Sequence, residues 1–228
     1  MKRATAETER SKAIREGPLE PLWPPFIAMV AVGALNAALP PGLLGGAPRW
    51  LLMVIVVSLA TPLLVLHHRH NHYLSQVLGY ILNGVVTAAT IASLGFLIEK
   101  ATEHKVTPPQ LLWSAGALWI SNFLVFASWY WRLDGGGPHK RSLRRAHTDG
   151  AFLFPQMTMH PEAKSAAGEE EWQPNFVDYL FLAFNTSTAF SPTDVPVLSR
   201  WAKMLMMIQA MISLLVLALL AGRAVNIL

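Results

Sequence analysis

Seven residues whose side chains carry oxygen atoms lie within ten positions near the C-terminal end of the chain. They are Asn185, Thr186, Ser187, Thr188, Ser191, Thr193 and Asp194. Backbone carbonyl groups and rings of acidic side chains are what membrane pores use to replace the hydration shell of a cation. The cluster therefore predicts a surface along which a cation could pass.

A second group of candidate residues consists of four histidines within six positions. These are His67, His68, His70 and His72, and imidazole nitrogen is a common ligand of transition metals. No carboxylate accompanies them in the sequence, and histidines between two apolar segments also serve as anchors at a membrane interface. They are the weaker hypothesis, and we predict neither a metal site nor another cofactor.

Enzyme chemistry is not indicated by the sequence. The chain contains no G-x-S-x-G elbow, no H-E-x-x-H pair and no glycine-rich phosphate loop. It also has no cysteine, which excludes disulfides and thiolate ligands. We predict that the protein is not an enzyme.

Composition indicates an integral membrane protein. Of the 228 residues, 53% are hydrophobic and only 14% are charged, and several apolar runs approach the length that crosses a bilayer. The formal charge of +4 does not indicate nucleic-acid binding, because the basic residues lie beside the apolar runs. The predicted partner is the lipid bilayer.

The apolar pattern predicts an all-α fold with five full transmembrane helices and one short sixth or re-entrant helix. Four full spans are expected at 23–44, 50–66, 73–98 and 109–131, and the fifth at 200–228. The short helix at 176–190 is too short to cross about 30 Å of hydrocarbon. The predicted regions are a polar tail at 1–20, a four-helix region at 21–131, a polar loop at 132–174 and a C-terminal module at 175–228.

Polar residues inside the spans are expected to form hydrogen bonds between helices rather than to bind ligands. They are Asn36, Asn83, Ser121, Asn122, Gln209 and Ser213. The segment 132–173 is expected to be a solvated loop, with a basic first part and an acidic end. The alternatives are that its basic part meets anionic lipid headgroups and that its apolar middle, 151–161, rests on the membrane surface or on the helix bundle. Asp178 lies near the start of the short helix, where a carboxylate favours the positive end of the helix dipole.

Lysine and arginine residues predict the orientation in the membrane. The mixed-charge tail at 1–20 and the basic first part of 132–173 each hold several lysine and arginine residues, and four spans separate them, so both lie on one side. The positive-inside rule makes that side cytoplasmic. This predicts a multi-pass protein of a bacterial inner membrane with a cytoplasmic N-terminus. Segment 176–190 then either crosses fully or re-enters from the cytoplasmic side.

The order of short helix, threonine-rich turn, aspartate and long apolar helix resembles the pore module of two-helix potassium channels. Aligning Asp194 with the aspartate after their filter places 188–193 on the family's T-T-V-G-Y-G, 176–187 on the pore helix and 200–228 on the inner helix. Ser191 and Thr193 replace both filter glycines and Pro192 replaces the tyrosine. Because such a filter needs the backbone freedom of glycine, the resemblance does not imply potassium selectivity.

The same region is similar to a family of uncharacterised bacterial inner-membrane proteins. The shared features are a D-Y-L-[YF] start (178–181), a T-D turn (Thr193 and Asp194) and a basic long helix ending near A-x-x-x-N (221–226). The resemblance to the potassium-channel pore module implies a cation channel with a degenerate pore loop, passing monovalent cations and lacking the standard potassium filter. Because one short helix cannot enclose a pore, such a channel would be an oligomer. The alternative is a non-conducting helical membrane protein that stabilises or regulates a membrane partner.

Overall fold

The computed structural model describes residues 20–68, 72–103, 105–144, 146–191 and 194–225, with the backbone alone at 64–68, 72 and 223–225. Within these ranges the chain is helical and contains no strand. The helices are α1 (Trp23–Ala37), α2 (Leu51–His68), α3 (His72–Thr102), α4 (Pro108–Leu133), α5 (Pro138–Ser142), α6 (Pro155–Thr158), α7 (Pro161–Ala166), α8 (Phe176–Ala189) and α9 (Arg200–Val225). Two short 3-10 turns cover Pro41–Leu43 and Asp134–Gly136.

Three of the helices are long and apolar enough to cross a membrane. The qualifying segments are Tyr73–Thr102, Pro108–Gly136 and Arg200–Gly222, with 30, 29 and 23 residues. The two N-terminal apolar helices fall short of this length. Helix α1 has 15 residues, and the part of α2 whose side chains are described, Leu51–Leu63, is shorter still. Pro40 and Pro41 follow α1, and proline cannot continue a helix without losing a backbone hydrogen bond. The structure thus supports an all-helical protein with three membrane-length helices, whereas its helix lengths do not support five full spans.

The long helices form an antiparallel bundle joined by polar side chains. Ser128 Oγ of α4 lies 3.0 Å from Asn83 Oδ1 of α3, and Asn36 Nδ2 of α1 lies 3.4 Å from Ser93 Oγ of α3. The prediction of interhelical hydrogen bonds is confirmed for Asn36, Asn83, Asn122, Gln209 and Ser213. Ser121 differs, because its hydroxyl donates to the Ala117 carbonyl of its own helix.

The segment between α4 and α8 is folded onto the end of the bundle, so the prediction of a solvated loop is wrong for its first part, whereas most of 155–171 is exposed. The expectation that the apolar stretch 151–161 rests on the bundle is confirmed at 151–154. Phe152 and Phe154 are buried, and the Phe152 ring lies 5.2 Å from Tyr130 and 6.2 Å from Tyr179. Three consecutive glycines with positive φ at 135–137 turn the chain back directly after α4. We call the end of the bundle covered by this segment the loop end.

Candidate functional site

Helix α8 begins at the loop end and stops about halfway along α4. Its first turn is closed by a capping box, in which the Val177 N–H donates to Asn175 Oδ1 and the Asn175 N–H donates to Asp178 Oδ2. This confirms the expected position of Asp178 at the helix start. Phe176 packs 6.3 Å from Trp131 at the end of α4, while the Ser187 carbonyl oxygen lies 3.5 Å from Trp119 Nε1. Trp119 and Trp131 are about 18 Å apart along α4.

The chain after α8 returns to the end from which it came. Phe190 has a left-handed backbone with φ 54°, which ends the helix. The Leu153 N–H then donates to the Pro196 carbonyl at 2.9 Å, and the Leu198 N–H donates to the Ala151 carbonyl at 2.7 Å. Residues 196–198 therefore lie against the loop-end segment, and α9 starts there. Because the chain returns to the end of the bundle at which α8 begins, we call 176–198 the re-entrant segment.

A topology experiment follows from this return. In the naturally cysteine-free chain, single cysteines at Thr148 and Leu198 are expected to react with a membrane-impermeant maleimide from the same side. Both residues are exposed at the loop end, whereas Lys105, beyond the far end of α3, should react from the opposite side. Labelling of intact cells and of inverted vesicles is the measurement. Reaction of the 148 and 198 positions from opposite sides would mean that α8 crosses the membrane fully.

Gln209 of α9 holds the re-entrant segment in place. Its side chain is fully buried, and Nε2 donates to the Ala183 carbonyl at 2.6 Å and to Ser187 Oγ at 2.8 Å. Gln209 Oε1 accepts from the Tyr130 hydroxyl at 2.5 Å. Asn122 of α4 extends the contact by donating to the Gln209 carbonyl and to Ser213 Oγ. One amide thus connects α4, α8 and α9 within the apolar part of the bundle.

The structure divides the seven predicted oxygen-bearing residues. Thr186 and Ser187 are buried, with the Thr186 hydroxyl donating to the Leu182 carbonyl at 2.8 Å. Asn185 is half-buried, while Thr188, Ser191 and Asp194 are exposed. Thr193 lies outside the described residues. An α-helix advances about 100° per residue, so neighbours along α8 cannot all face one path.

The exposed members of that set also differ in depth. Thr188 lies at the inner end of α8, next to Ser187 at the level of Trp119, and Ser191 follows the turn at Phe190. Asp194 lies two residues before Pro196, whose carbonyl is bonded to the loop-end segment. Two extended residues span about 7 Å. Asp194 is therefore near the loop end, whereas Thr188 and Ser191 are at the tip of the re-entrant segment.

A buried group of charged residues at the loop end was not predicted from the sequence. Arg141 is 1% exposed; its Nη1 donates to the Trp131 and Asp134 carbonyls at 2.7 and 2.8 Å, and its Nη2 lies 2.8 Å from Glu20 Oε2. The Arg141 guanidinium also packs over the Tyr179 ring. Burial raises the pKa of the Glu20 carboxyl, while Arg141 and a hydrogen bond from Trp131 act in the opposite direction.

Asp134 is the second centre of this group. It is fully buried, and its Oδ1 accepts from the Ala151 N–H at 2.5 Å while Oδ2 accepts from the Tyr179 hydroxyl at 2.7 Å. His147 Nε2 is 3.3 Å from Oδ2, without the geometry of a hydrogen bond. The run of glycines directly after Asp134 was the available signal, because a reversal there returns the following residues to the helix end.

The histidine hypothesis is not tested by the described part of the chain. The side chains of His67, His68 and His72 and the whole of His70 lie outside it. Among the residues that the structure does describe, no group of three or more histidine, cysteine or acidic side chains could hold a metal ion.

The fold and the site define a class rather than a particular protein: an all-helical protein with three helices long and apolar enough to cross a membrane. Comparison with known proteins does not assign the chain to a family, because no family model, no curated protein and no solved structure matches it. What the protein does must therefore be inferred from its own residues.

Proposed function

We propose that this protein is a multi-pass membrane protein whose copies assemble into a ring, with the tips of the re-entrant segments lining a path for monovalent cations. The observation that carries the proposal is the position of Thr188, which is exposed at the inner end of α8 about 18 Å from the loop end, with the exposed Ser191 following it after the turn at Phe190. Backbone that leaves a helix at membrane depth is tolerated only where protein covers it or where it lines water. A single chain neither covers this backbone with protein nor encloses water beside it, whereas a symmetric ring of chains does both.

The membrane arrangement that we propose has five crossings, by α1, α2, α3, α4 and α9, with the two shorter N-terminal helices completed by their flanking residues. The loop end faces the cytoplasm of a bacterial cell, because Lys140, Arg141 and Arg144 lie there and Arg200 and Lys203 begin α9 at the same end. The pore module would thus resemble that of two-helix potassium channels but enter from the cytoplasmic side. Ser191, Pro192 and Thr193 in place of the filter residues argue for a path without potassium selectivity.

Within this arrangement the exposed residues have separate roles. Thr188 and Ser191 offer hydroxyl and backbone oxygen atoms to the cation at the narrowest part of the proposed path. The C-terminal end of α8, which is the negative end of the helix dipole, lies next to them. Asp194 offers a carboxylate at the cytoplasmic mouth, where it would concentrate cations. Thr186 and Ser187 maintain the segment through their bonds within the chain and do not contact the ion.

Flux through proteoliposomes of the purified protein tests the proposal. Thr188→Val should reduce cation flux because it removes the oxygen atom at the tip, and Asp194→Asn should reduce it most at low ionic strength, where the mouth charge is least screened. Thr148→Val and Asp149→Asn are the matched controls, since both residues are exposed in the loop-end segment away from the tip. Absence of flux from the wild-type protein, or flux unchanged in both test variants, would refute the channel.

A non-conducting role is the second candidate, and one observation favours it. The hydroxyl groups of Thr186 and Ser187 are satisfied within the chain, so most of α8 is built as a packed element rather than as a pore wall. In that case the exposed tip would contact a different membrane protein, which this one stabilises or regulates. A purified monomer or dimer without flux would support this candidate, whereas a larger ring would support the channel.

A further inference from the structure

A cavity of about 340 Å³ lies at the loop end, between the start of α3 and the turn after α4. Its walls include Tyr73, Ser75 and Gln76 of α3, and Arg132, Lys140 and the backbone of the glycine turn on the other side. No acidic side chain is among its described lining residues. The cavity is separate from the tip of the re-entrant segment and plays no part in the proposed ion path.

Arg132 is the central residue of this cavity. It is only 7% exposed, and its Nε has no hydrogen-bond partner. Within the described parts of the chain it forms no ion pair, whereas its neighbour Arg141 is paired with Glu20. A buried guanidinium normally has a carboxylate partner because removing an unpaired charge from water is costly.

The two buried acidic residues described at the loop end already have partners. Glu20 accepts from Arg141 and from Trp131, and Asp134 accepts from Ala151 and Tyr179. Arg132 contacts the Trp131 ring instead, with Cζ 5.4 Å from the ring centroid. Among the described residues of the loop end, no buried carboxylate is therefore left to pair with Arg132.

Gly79 of α3 positions the guanidinium. A Cβ atom at this position would lie 1.9 Å from Nη1 and 2.3 Å from Cζ of Arg132, so the guanidinium lies directly against the bare backbone of α3. The first turn of α3 forms the adjoining wall, and the start of a helix carries partial positive charge. Lys140, exposed at the rim, adds a second full positive charge.

We propose that this cavity binds a phosphate group, with Arg132 as the buried contact and Lys140 at the rim. A planar guanidinium can donate two parallel hydrogen bonds to phosphate oxygens, and the Ser75 hydroxyl and Gln76 amide also line the site. The phosphate belongs either to an anionic lipid headgroup or to a free phosphate compound. The two sources share this chemistry and differ in whether acyl chains contribute.

Calorimetric titration of the full-length protein in a neutral detergent, at constant ionic strength, tests the site. The probes are dihexanoylphosphatidylglycerol, inorganic phosphate and, as a zwitterionic control, dihexanoylphosphatidylcholine. Tighter binding of the phosphatidylglycerol than of the other two identifies a lipid headgroup, and binding of inorganic phosphate with equal affinity identifies a free phosphate. Failure of both anionic probes to bind would overturn the proposal.

Three variants show whether such binding occurs at this cavity. Arg132→Gln should weaken it about tenfold or more, because it removes a charge-assisted contact. Gly79→Ala should weaken it by displacing the guanidinium while retaining the charge, and Lys140→Gln should weaken it less. If Arg132→Gln does not fold, the exposed Lys140 variant and Gly79→Ala still decide the matter. Lys105→Gln at the far end is the control, and equal binding by all variants would refute the site.

Discussion

Replacing Arg141 with methionine is expected to lower the free energy of unfolding by about 3–5 kcal/mol, the usual effect of removing one partner of a buried ion pair. The side chain is 1% exposed and bonds to Glu20 and to two carbonyl groups at the end of α4. Methionine fills part of the space but leaves the Glu20 carboxylate, which is 13% exposed, without its charge partner. Unfolding in mixed micelles of mild detergent and dodecyl sulfate is the measurement.

The control for this variant is Arg144→Met, just beyond the end of α5. Arg144 pairs with Asp149, whose side chain is 75% exposed, so its loss should cost less than about 1 kcal/mol. The double variant Glu20→Gln with Arg141→Met should recover part of the stability, because no buried charge then remains unpaired. An Arg141 variant as stable as the Arg144 variant would show that the buried pair contributes little.

The cost of Arg141→Met should also depend on pH. Burial already raises the pKa of Glu20, and loss of Arg141 removes an effect that lowers it, so the pKa rises further. A carboxyl whose folded-state pKa is raised favours folding at low pH, and that stabilisation is lost as the pH rises through the folded-state value. The variant should therefore be most destabilised at neutral pH and approach the wild type as Glu20 becomes protonated. A penalty independent of pH would contradict this explanation.

Gln209→Leu is the second large effect, and it should cost about 2–4 kcal/mol. Three hydrogen bonds from one buried amide are lost, and bonds between membrane helices are worth about 0.6 kcal/mol on average and up to about 1.7 kcal/mol. The Tyr130 hydroxyl and the Ser187 hydroxyl also lose their partner in an apolar setting. The measurement is again unfolding in mixed micelles.

Met207→Leu is the matched control for this position. Met207 lies two residues away on the same helix and is 58% exposed, so the change should be close to neutral. The Gln209 variant should also increase labelling of a cysteine at Ser187, which is buried in the wild-type protein. Equal stability of the Met207→Leu and Gln209→Leu variants, with no change in labelling, would show that Gln209 does not hold the re-entrant segment.

The sequence was a sufficient guide to the helices and to their internal polar contacts. Apolar runs predicted the positions of α1–α4, α8 and α9, because burial in lipid or in a bundle demands such runs whatever the tertiary arrangement. Asn36, Asn83 and Asn122 were expected to bond across helices, and they do. Helix lengths were predicted less well, because prolines at 40 and 41 end α1 earlier than hydropathy alone suggests.

The buried charged residues of the loop end and the face of each α8 residue were not predicted from the sequence. Charged residues in 132–174 favoured solvation by composition, whereas Arg141 and Asp134 are buried because each meets partners distant in the chain. The oxygen-bearing residues at 185–194 formed one cluster in sequence, and helical rotation separated Thr186 and Ser187 from Thr188. Chemical type was therefore predictable, but the direction of each side chain required the packing of α8 against α4 and α9.

The dependence of α8 on Gln209 constrains how the protein is made. Residues 176–189 emerge from the ribosome before residue 209 does, so the Ser187 hydroxyl and the Ala183 carbonyl reach the membrane before their donor. A 14-residue helix is also too short to be retained by the translocon as a full span. Insertion of the re-entrant segment should consequently be a late step of biogenesis, completed only when the last helix enters the bilayer and brings its glutamine to α8.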